Sequence, residues 1–289
     1  MELENMLSDM DCMEFRDEVE TRLKSLGAFS EPLTFGDYIG IIRGNKLERC
    51  LSYGSYGNAR ASIIDVLSLL YLDFEVLRLS DKEYRGICFS RIAQTEAELG
   101  NAIYRYSTEK CESREMQKLL HIYTRAIEDS YEAKPLNIAR KFFYCSIGKA
   151  YLFRGLLRER NDADKIGDIN QGISMIVHSI VLGCNQPKMY EFMYNGYMAL
   201  YFMERDKGRK KELLQVSVDC LEYSERLMTK RPPAILVRKI IDGYAKLSQI
   251  EFSLAKADQP DSSFQKSRDY IDKGMFWVDF AERNNINIG

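Results

Sequence analysis

The sequence predicts an all-α protein, a stack of helix pairs preceded by a small N-terminal helical unit. Three observations carry that expectation. From about Arg60 onward, apolar residues recur at the spacing of a helix face, and nothing alternates as a strand does for long. Clusters of helix-breaking residues cut the same region at regular places. A glycine also returns at one phase, in LGNAIY at Gly100, IGKAYL at Gly148, NGYMAL at Gly196 and DGYAKL at Gly243, at intervals of 48, 48 and 47 residues.

The breakers form two interleaved sets. Ser107–Arg114, Glu159–Asp168, Arg205–Lys210 and Lys256–Ser263 make one, and Ala133–Asn137, Gly183–Lys188 and Thr229–Ala234 make the other. Each set returns roughly every 48 residues, the order expected of helix, loop, helix, loop. Glycine inside a helix costs about 1 kcal/mol relative to alanine. Its return at one phase therefore predicts a shared use, letting a neighbouring helix approach closely. The last unit is the most aromatic, with Tyr270, Phe276, Trp277 and Phe280 on one helix after Pro260. That helix suits a cap over the end of the stack or a dimer contact.

Over roughly residues 90–284 this pattern resembles tetratricopeptide (TPR) repeats, in which a small residue sits at this point of the first helix and a large apolar residue follows. Tyr151 holds that second position after Gly148, while Ala199 and Lys246 hold it in the next two units. The resemblance implies a right-handed α-solenoid whose first helices line a concave surface. It also implies that the residues one and four after each glycine face a peptide or protein segment in that groove. These are Asn101 and Tyr104, Lys149 and Leu152, Tyr197 and Leu200, and Tyr244 and Leu247. An amide, tyrosine hydroxyls and a cation among apolar side chains suit an extended peptide. The alternative is that such residues pack between helices.

Composition narrows the function. Hydrophobic residues at 45% and charged residues at 29% are those of an ordinary globular protein, and a net charge of −2 gives no general attraction to nucleic acid or anionic lipid. Seven cysteines (12, 50, 88, 111, 145, 184 and 220) are scattered without a C-x-x-C pair, which argues against a disulfide framework or a zinc site and for a reducing compartment. Cys88 and Cys145 read as small core residues. The N-terminus MELENMLSDMDCMEF has neither the basic nor the apolar region of a secretory signal. The most apolar stretch, Ala61–Leu79, carries Asp65, Asp73, Glu75 and Arg78, so it reads as a buried helix rather than a membrane span. A cytoplasmic protein without membrane contact or cofactor is expected.

Residues 1–80 do not follow the repeat and are expected to form their own helical domain before an array over 81–289. Met13–Leu26 reads as an amphipathic helix ending at Gly27. The stretch LTFGDYIGIIRGNKLERCLSYG resembles a helix-turn-helix, with Thr34–Ile39 as the first helix and the turn at Gly40. Its second helix would present Arg43, Asn45, Lys46 and Arg49 to the major groove of duplex DNA. Residues 40–60 hold four bases against Glu48, whereas residues 1–31 hold nine acids against three bases. The other reading is a small helical cap on the array.

A helix-turn-helix followed by a TPR-like array resembles the peptide-pheromone-sensing transcription regulators of Gram-positive bacteria and their phages, the arbitrium receptors among them. That resemblance implies a homodimer that binds promoter DNA through its N-terminal domains and takes a short secreted peptide in its groove. A scaffold or adaptor binding a protein partner, without nucleic acid, is the alternative. No nucleophile motif, Walker loop or metal-ligand spacing accompanies the two histidines, His121 and His178, so an enzyme is not expected. The one catalytic pattern is Arg114 with His121, whose spacing is similar to that of helical HEPN ribonucleases. A His121 packed in the repeat is the plainer account.

Overall fold

The computed structural model describes residues 2–29, 33–44, 59–107, 113–137, 139–159, 163–255 and 260–288. The protein is all-α, with no strand among the described residues. It divides into two compact units, Met1–Gly183 and Cys184–Gly289.

The first unit begins with α1 (Leu3–Asp9), a short 3-10 turn at Met13–Phe15, and α2 (Arg16–Ser25). Helix α2 stops where the sequence says it should. Gly27 takes a φ of +77°, and its backbone N–H donates to Lys24 while that of Ala28 reaches back to Leu23, a Schellman closure. Helix α3 is Phe35–Gly44 and α4 is Ala59–Leu79.

Here one expectation is corrected. The chain does not turn at Gly40: the expected first helix is present, but as α3 it continues through Gly40 to Gly44, so the turn expected there is absent. The cause is local. Thr34 and Asp37 start the helix reciprocally, the Asp37 N–H donating to Thr34 Oγ1 and the Thr34 N–H to Asp37 Oδ2 at 2.8 Å. Tyr38 and Ile42 then bury one face four residues apart, spanning the glycine. Burial on both sides of Gly40 outweighs its low helix propensity. Arg43 is exposed on the last turn of α3, and Asn45, Lys46 and Arg49 lie outside the described residues.

Helix α4 is buried along most of its length, as its composition predicts, through Ile63, Val66, Leu67, Leu69, Leu70, Leu72 and Val76. Its charges are paired rather than left bare. Arg22 of α2 meets Asp65, and Arg78 meets Glu75 on the same helix. Asp73 accepts from Arg91 Nε and Thr95 Oγ1, both at 2.9 Å, on α5 (Arg85–Ser107). Those bonds tie α4 to the first helix of the array, so residues 1–80 and the first helix pairs share one compact unit.

Four helix pairs follow, as the breakers predict. They are α5 with α6 (Ser113–Tyr131), α7 (Arg140–Leu157) with α8 (Ala163–Val181), α9 (Pro187–Met203) with α10 (Lys207–Arg226), and α11 (Ala234–Ala255) with α12 (Pro260–Arg283). The first two pairs belong to the first unit and the last two to the second. One loop is shorter than expected: α8 starts at Ala163, because Asp168 is drawn into it by Arg154 of α7, at 2.8 and 2.6 Å. Cys12, Cys88, Cys145, Cys184 and Cys220 are buried free thiols. No helix among the described residues is long and apolar enough to cross a membrane.

Three of the repeating glycines sit at close helix contacts. A Cβ on Gly100 would meet the Tyr123 ring of α6 at 2.5 Å, and one on Gly148 would meet Ile176 of α8 at 3.0 Å. Gly243 of α11 departs from this, since it faces Val218 on the preceding helix α10 rather than its pair partner α12.

Candidate functional site

Four of the eight residues expected to line a groove are buried. Asn101 to Leu152 belong to the first unit and Tyr197 to Leu247 to the second. Leu152 and Leu247 are fully buried, and Lys149 and Tyr244 nearly so, which makes these four parts of the core. Asn101 is engaged within the fold, accepting from the Tyr123 hydroxyl at 3.1 Å and donating to Glu98. Lys149 is paired with the same Glu98, which also accepts from Ser146 Oγ. Tyr104 is partly exposed and packs on Phe153, 5.1 Å between ring centres. Tyr197 and Leu200 are half-buried. Four residues after Gly148, Leu152 shares its close contact with Gly172 of α8, whereas Lys149, one residue after it, turns to Glu98 of α5, so the phase marks core as much as groove.

Of the catalytic pattern Arg114 with His121, only the His121 side chain is among the described residues. His121 Nε2 lies 2.7 Å from the Asp9 carbonyl oxygen, which can only accept, so the ring is held as a donor that docks α6 on the N-terminal helix. The side chain of Arg114 is outside the described residues. His178 packs edge-on against Tyr144.

What the structure does offer is a cleft of about 430 Å³ in the second unit, between α10, α11 and α12. Its floor is built by the core of that unit. Val218 and Leu221 of α10, Ile240 and Leu247 of α11, and Trp277 and Ala281 of α12 pack together. Two of the three helices, α10 and α12, have an identifiable start or stop. The Asp206 side chain caps α10, accepting the Arg209 N–H at 2.7 Å. Beyond α12, Asn285 adopts a φ of +51° and the Ile286 N–H returns to the Ala281 carbonyl, after which Arg238 of α11 holds the Ile288 carbonyl at 2.8 Å. The end of α12 is thereby fastened to α11.

Glu222 of α10 joins the three helices. Its Oε1 accepts from the Tyr244 hydroxyl of α11 at 2.6 Å and from the Trp277 indole N–H of α12 at 3.0 Å. Burial, aided by that bond to Glu222, pushes the Tyr244 hydroxyl well above the ordinary tyrosine pKa. Trp277 is buried with 6% of its surface exposed, and Phe276 and Phe280 meet it edge-on, at 5.8 and 5.1 Å between centres. Phe276 is 54% exposed, so the aromatic wall runs from the core out to the rim.

The charges of the cleft are unequally committed. Arg226 lies 3.7 Å from Glu222 and stands over the Tyr223 ring. Lys273 Nζ stands over the Tyr244 and Tyr270 rings, 5.7 and 5.8 Å from their centres. The carboxylate of Glu225, one of the lining residues, makes no hydrogen bond or ion pair among the described residues. Burial pushes its carboxyl above the usual range, Arg226 pulls the other way, and Glu222 adds to the push. No cation of this chain stands over Phe276, Trp277 or Phe280 among the described residues.

The sequence singled out Phe276, Trp277 and Phe280 but not the acids opposite them. Glu222 lies 55 residues before Trp277, with the whole of α11 between them, and nothing in the neighbourhood of Glu222 or Glu225 distinguishes them from other acids of α10.

No protein-family model matches this sequence, and no curated protein does. Among solved structures, the chain described as "Assembly Chaperone of RpL4 (Acl4) (Residues 1-338)" is 12% identical, with a TM-score of 0.33, over 99% of each chain. A likeness of that TM-score carries no argument about function.

Proposed function

We propose that this protein is a binding module for a segment of another protein, and that the cleft between α10, α11 and α12 is where the segment docks. The observation that carries the reading is the exposed Phe276 beside the buried Trp277, on the wall of a cleft large enough for one or two side chains. An aromatic that is half in water next to one that is sealed leaves apolar area for a partner to cover, about 25 cal/mol for each Å² removed from water. The helix pairs hold that wall rigid, so little ordering cost falls on the module when it binds. Helix α3 continues through Gly40, where the DNA-binding reading placed its turn, and the protein-partner reading needs no turn there.

The test is selection from a random peptide library displayed on phage, against the full-length protein. Enriched sequences should bind the wild type and lose at least tenfold in affinity against Phe276→Asp, with helical content unchanged by circular dichroism. Failure to enrich any sequence, or enrichment indifferent to Phe276→Asp, would overturn the proposal.

A further inference from the structure

The inference deepens the reading above, on which it rests, by naming the chemistry of the occupant. The geometry points to a cationic side chain of the partner, a guanidinium or an ammonium, seated between the Phe276–Trp277–Phe280 wall and the Glu225 carboxylate.

Three independent observations converge on a cation. First, the Glu225 carboxylate makes no hydrogen bond or ion pair among the described residues, with only the longer-range pull of Arg226 on it, whereas Glu222 is occupied by Tyr244, Trp277 and Arg226. Second, the two basic residues at the rim are already placed on tyrosine faces, Arg226 over Tyr223 and Lys273 over Tyr244 and Tyr270. An incoming anion would have to pull one of them away. Third, the chain uses cation–aromatic contacts around this site yet leaves the Phe276, Trp277 and Phe280 rings without one. The rings are electron-rich at their faces, and a cation within about 6 Å of a ring centre is attracted by them, most strongly when water is withheld. The carboxylate supplies the opposite charge. An aliphatic stem, as in arginine or lysine, would lie along the exposed part of Phe276 while its charged end reaches inward.

The electrostatics of Glu225 give the pairing a signature. Burial disfavours its ionised form in the empty cleft. A cation bound beside it favours that form, so binding releases a proton wherever Glu225 is still partly protonated. Affinity therefore falls as pH drops into the carboxylate range. Salt weakens it as well, since the rim is open to water.

Trp277 is the single tryptophan of the chain, so its emission reports this site alone. The experiment titrates the full-length protein with three capped tetrapeptides identical except at one position, which is arginine, glutamate or the uncharged isostere citrulline. The expected result is a saturable change of Trp277 emission with the arginine peptide and at least a tenfold weaker response with the other two. Glu225→Gln should weaken the arginine peptide at least tenfold without lowering the melting temperature, because no bond within the described residues is lost. Phe276→Ala should weaken it as well. If the citrulline and arginine peptides bind equally, or Glu225→Gln is without effect, the cation assignment is overturned while the segment-binding reading stands. If none of the peptides perturbs Trp277 and the phage selection also fails, both are overturned.

Discussion

Gly148 of α7 and Gly172 of α8 face each other across their helix pair: a Cβ on Gly172 would stand 2.8 Å from the Gly148 carbonyl oxygen and 2.6 Å from the Leu152 nitrogen. Both neighbours are backbone, so no side chain can rotate out of the way. Gly172→Ala should therefore destabilise the protein by about 1–3 kcal/mol, the range for overfilling a packed contact, despite alanine's better helix propensity. Gly167 supplies the control. It is exposed on the same helix with nothing within 4 Å among the described residues, so Gly167→Ala should stabilise by about 0.5–1 kcal/mol. Urea melts of the two variants should move in opposite directions. A shift of the same sign in both would show that the glycines are not there for close approach.

Gly40 tests the corrected N-terminal region. It lies inside α3, and a Cβ there would meet nothing outside its own stretch of helix within 4 Å among the described residues. Were it a turn residue requiring a left-handed backbone, alanine would be costly there. In a continuous helix, Gly40→Ala gains about 0.5–1 kcal/mol and leaves helical content undiminished. A loss of stability in the urea melt would restore the turn.

These two regions mark what the sequence could and could not disclose. The helix pairs were legible because breakers and periodicity are local signals, and α7, α9 and α11 begin at Arg140, Pro187 and Ala234, in step with the predicted breaks. The end of α2 at Gly27 was legible for the same reason. Gly40 misled because its local signal for a turn was outweighed by burial of Tyr38 and Ile42 on α3, which packs against α4, where Tyr38 reaches Glu75. Across the boundary expected at residue 80, packing continues through Asp73, Arg91 and Thr95. The cleft was half visible. Its aromatics share one helix and stand out in a sequence, whereas Glu225 acquires its distinction only from what α12 places opposite it.

Glu96 predicts a pH dependence. It is fully buried on α5, with Arg125 Nε at 3.4 Å and no hydrogen-bonded oxygen, and Asp129 stands nearby. Burial first, and the Asp129 charge second, raise its pKa well above the usual carboxylate range. The folded state therefore holds a proton that the unfolded chain releases near pH 4.3, roughly. The stability Glu96 contributes is full below that pH and is lost as pH rises through the higher folded pKa. Glu96→Gln, a neutral isostere, should be more stable than wild type at pH 8, and its advantage should shrink toward pH 4.5. Melting temperatures across that range decide it. A constant difference at every pH would mean that Glu96 does not titrate in the fold.

Lys149 and Glu98 form a buried pair between α7 and α5, and Ser146 and Asn101 complete the carboxylate's bonding. Lys149→Met should cost about 3–5 kcal/mol, because it strands Glu98 in the core. Adding Glu98→Gln removes the stranded charge and should recover part of that loss, giving a coupling energy of at least about 1 kcal/mol in a double-mutant cycle. Additive effects would show that the two charges do not depend on one another.

Glu222 should matter to both the stability and the shape of the cleft. One of its oxygens receives the Tyr244 hydroxyl and the Trp277 indole N–H, so its loss strands two donors at once. Glu222→Leu should destabilise by about 1–3 kcal/mol for each stranded donor. Glu222→Gln retains a carbonyl oxygen in the same place and should cost less. Trp277 emission separates packing from charge here. With Leu at 222 the indole loses its acceptor and the emission maximum should move in the native protein, whereas with Gln it should stay near the wild-type value. Because Glu222 sets the aromatic wall while Glu225 faces the occupant, the leucine variant should weaken every peptide alike, including the uncharged one. Glu225→Gln should weaken only the cationic peptide. If the two variants showed the same peptide profile, the division between a residue that builds the wall and one that meets the ligand would be wrong.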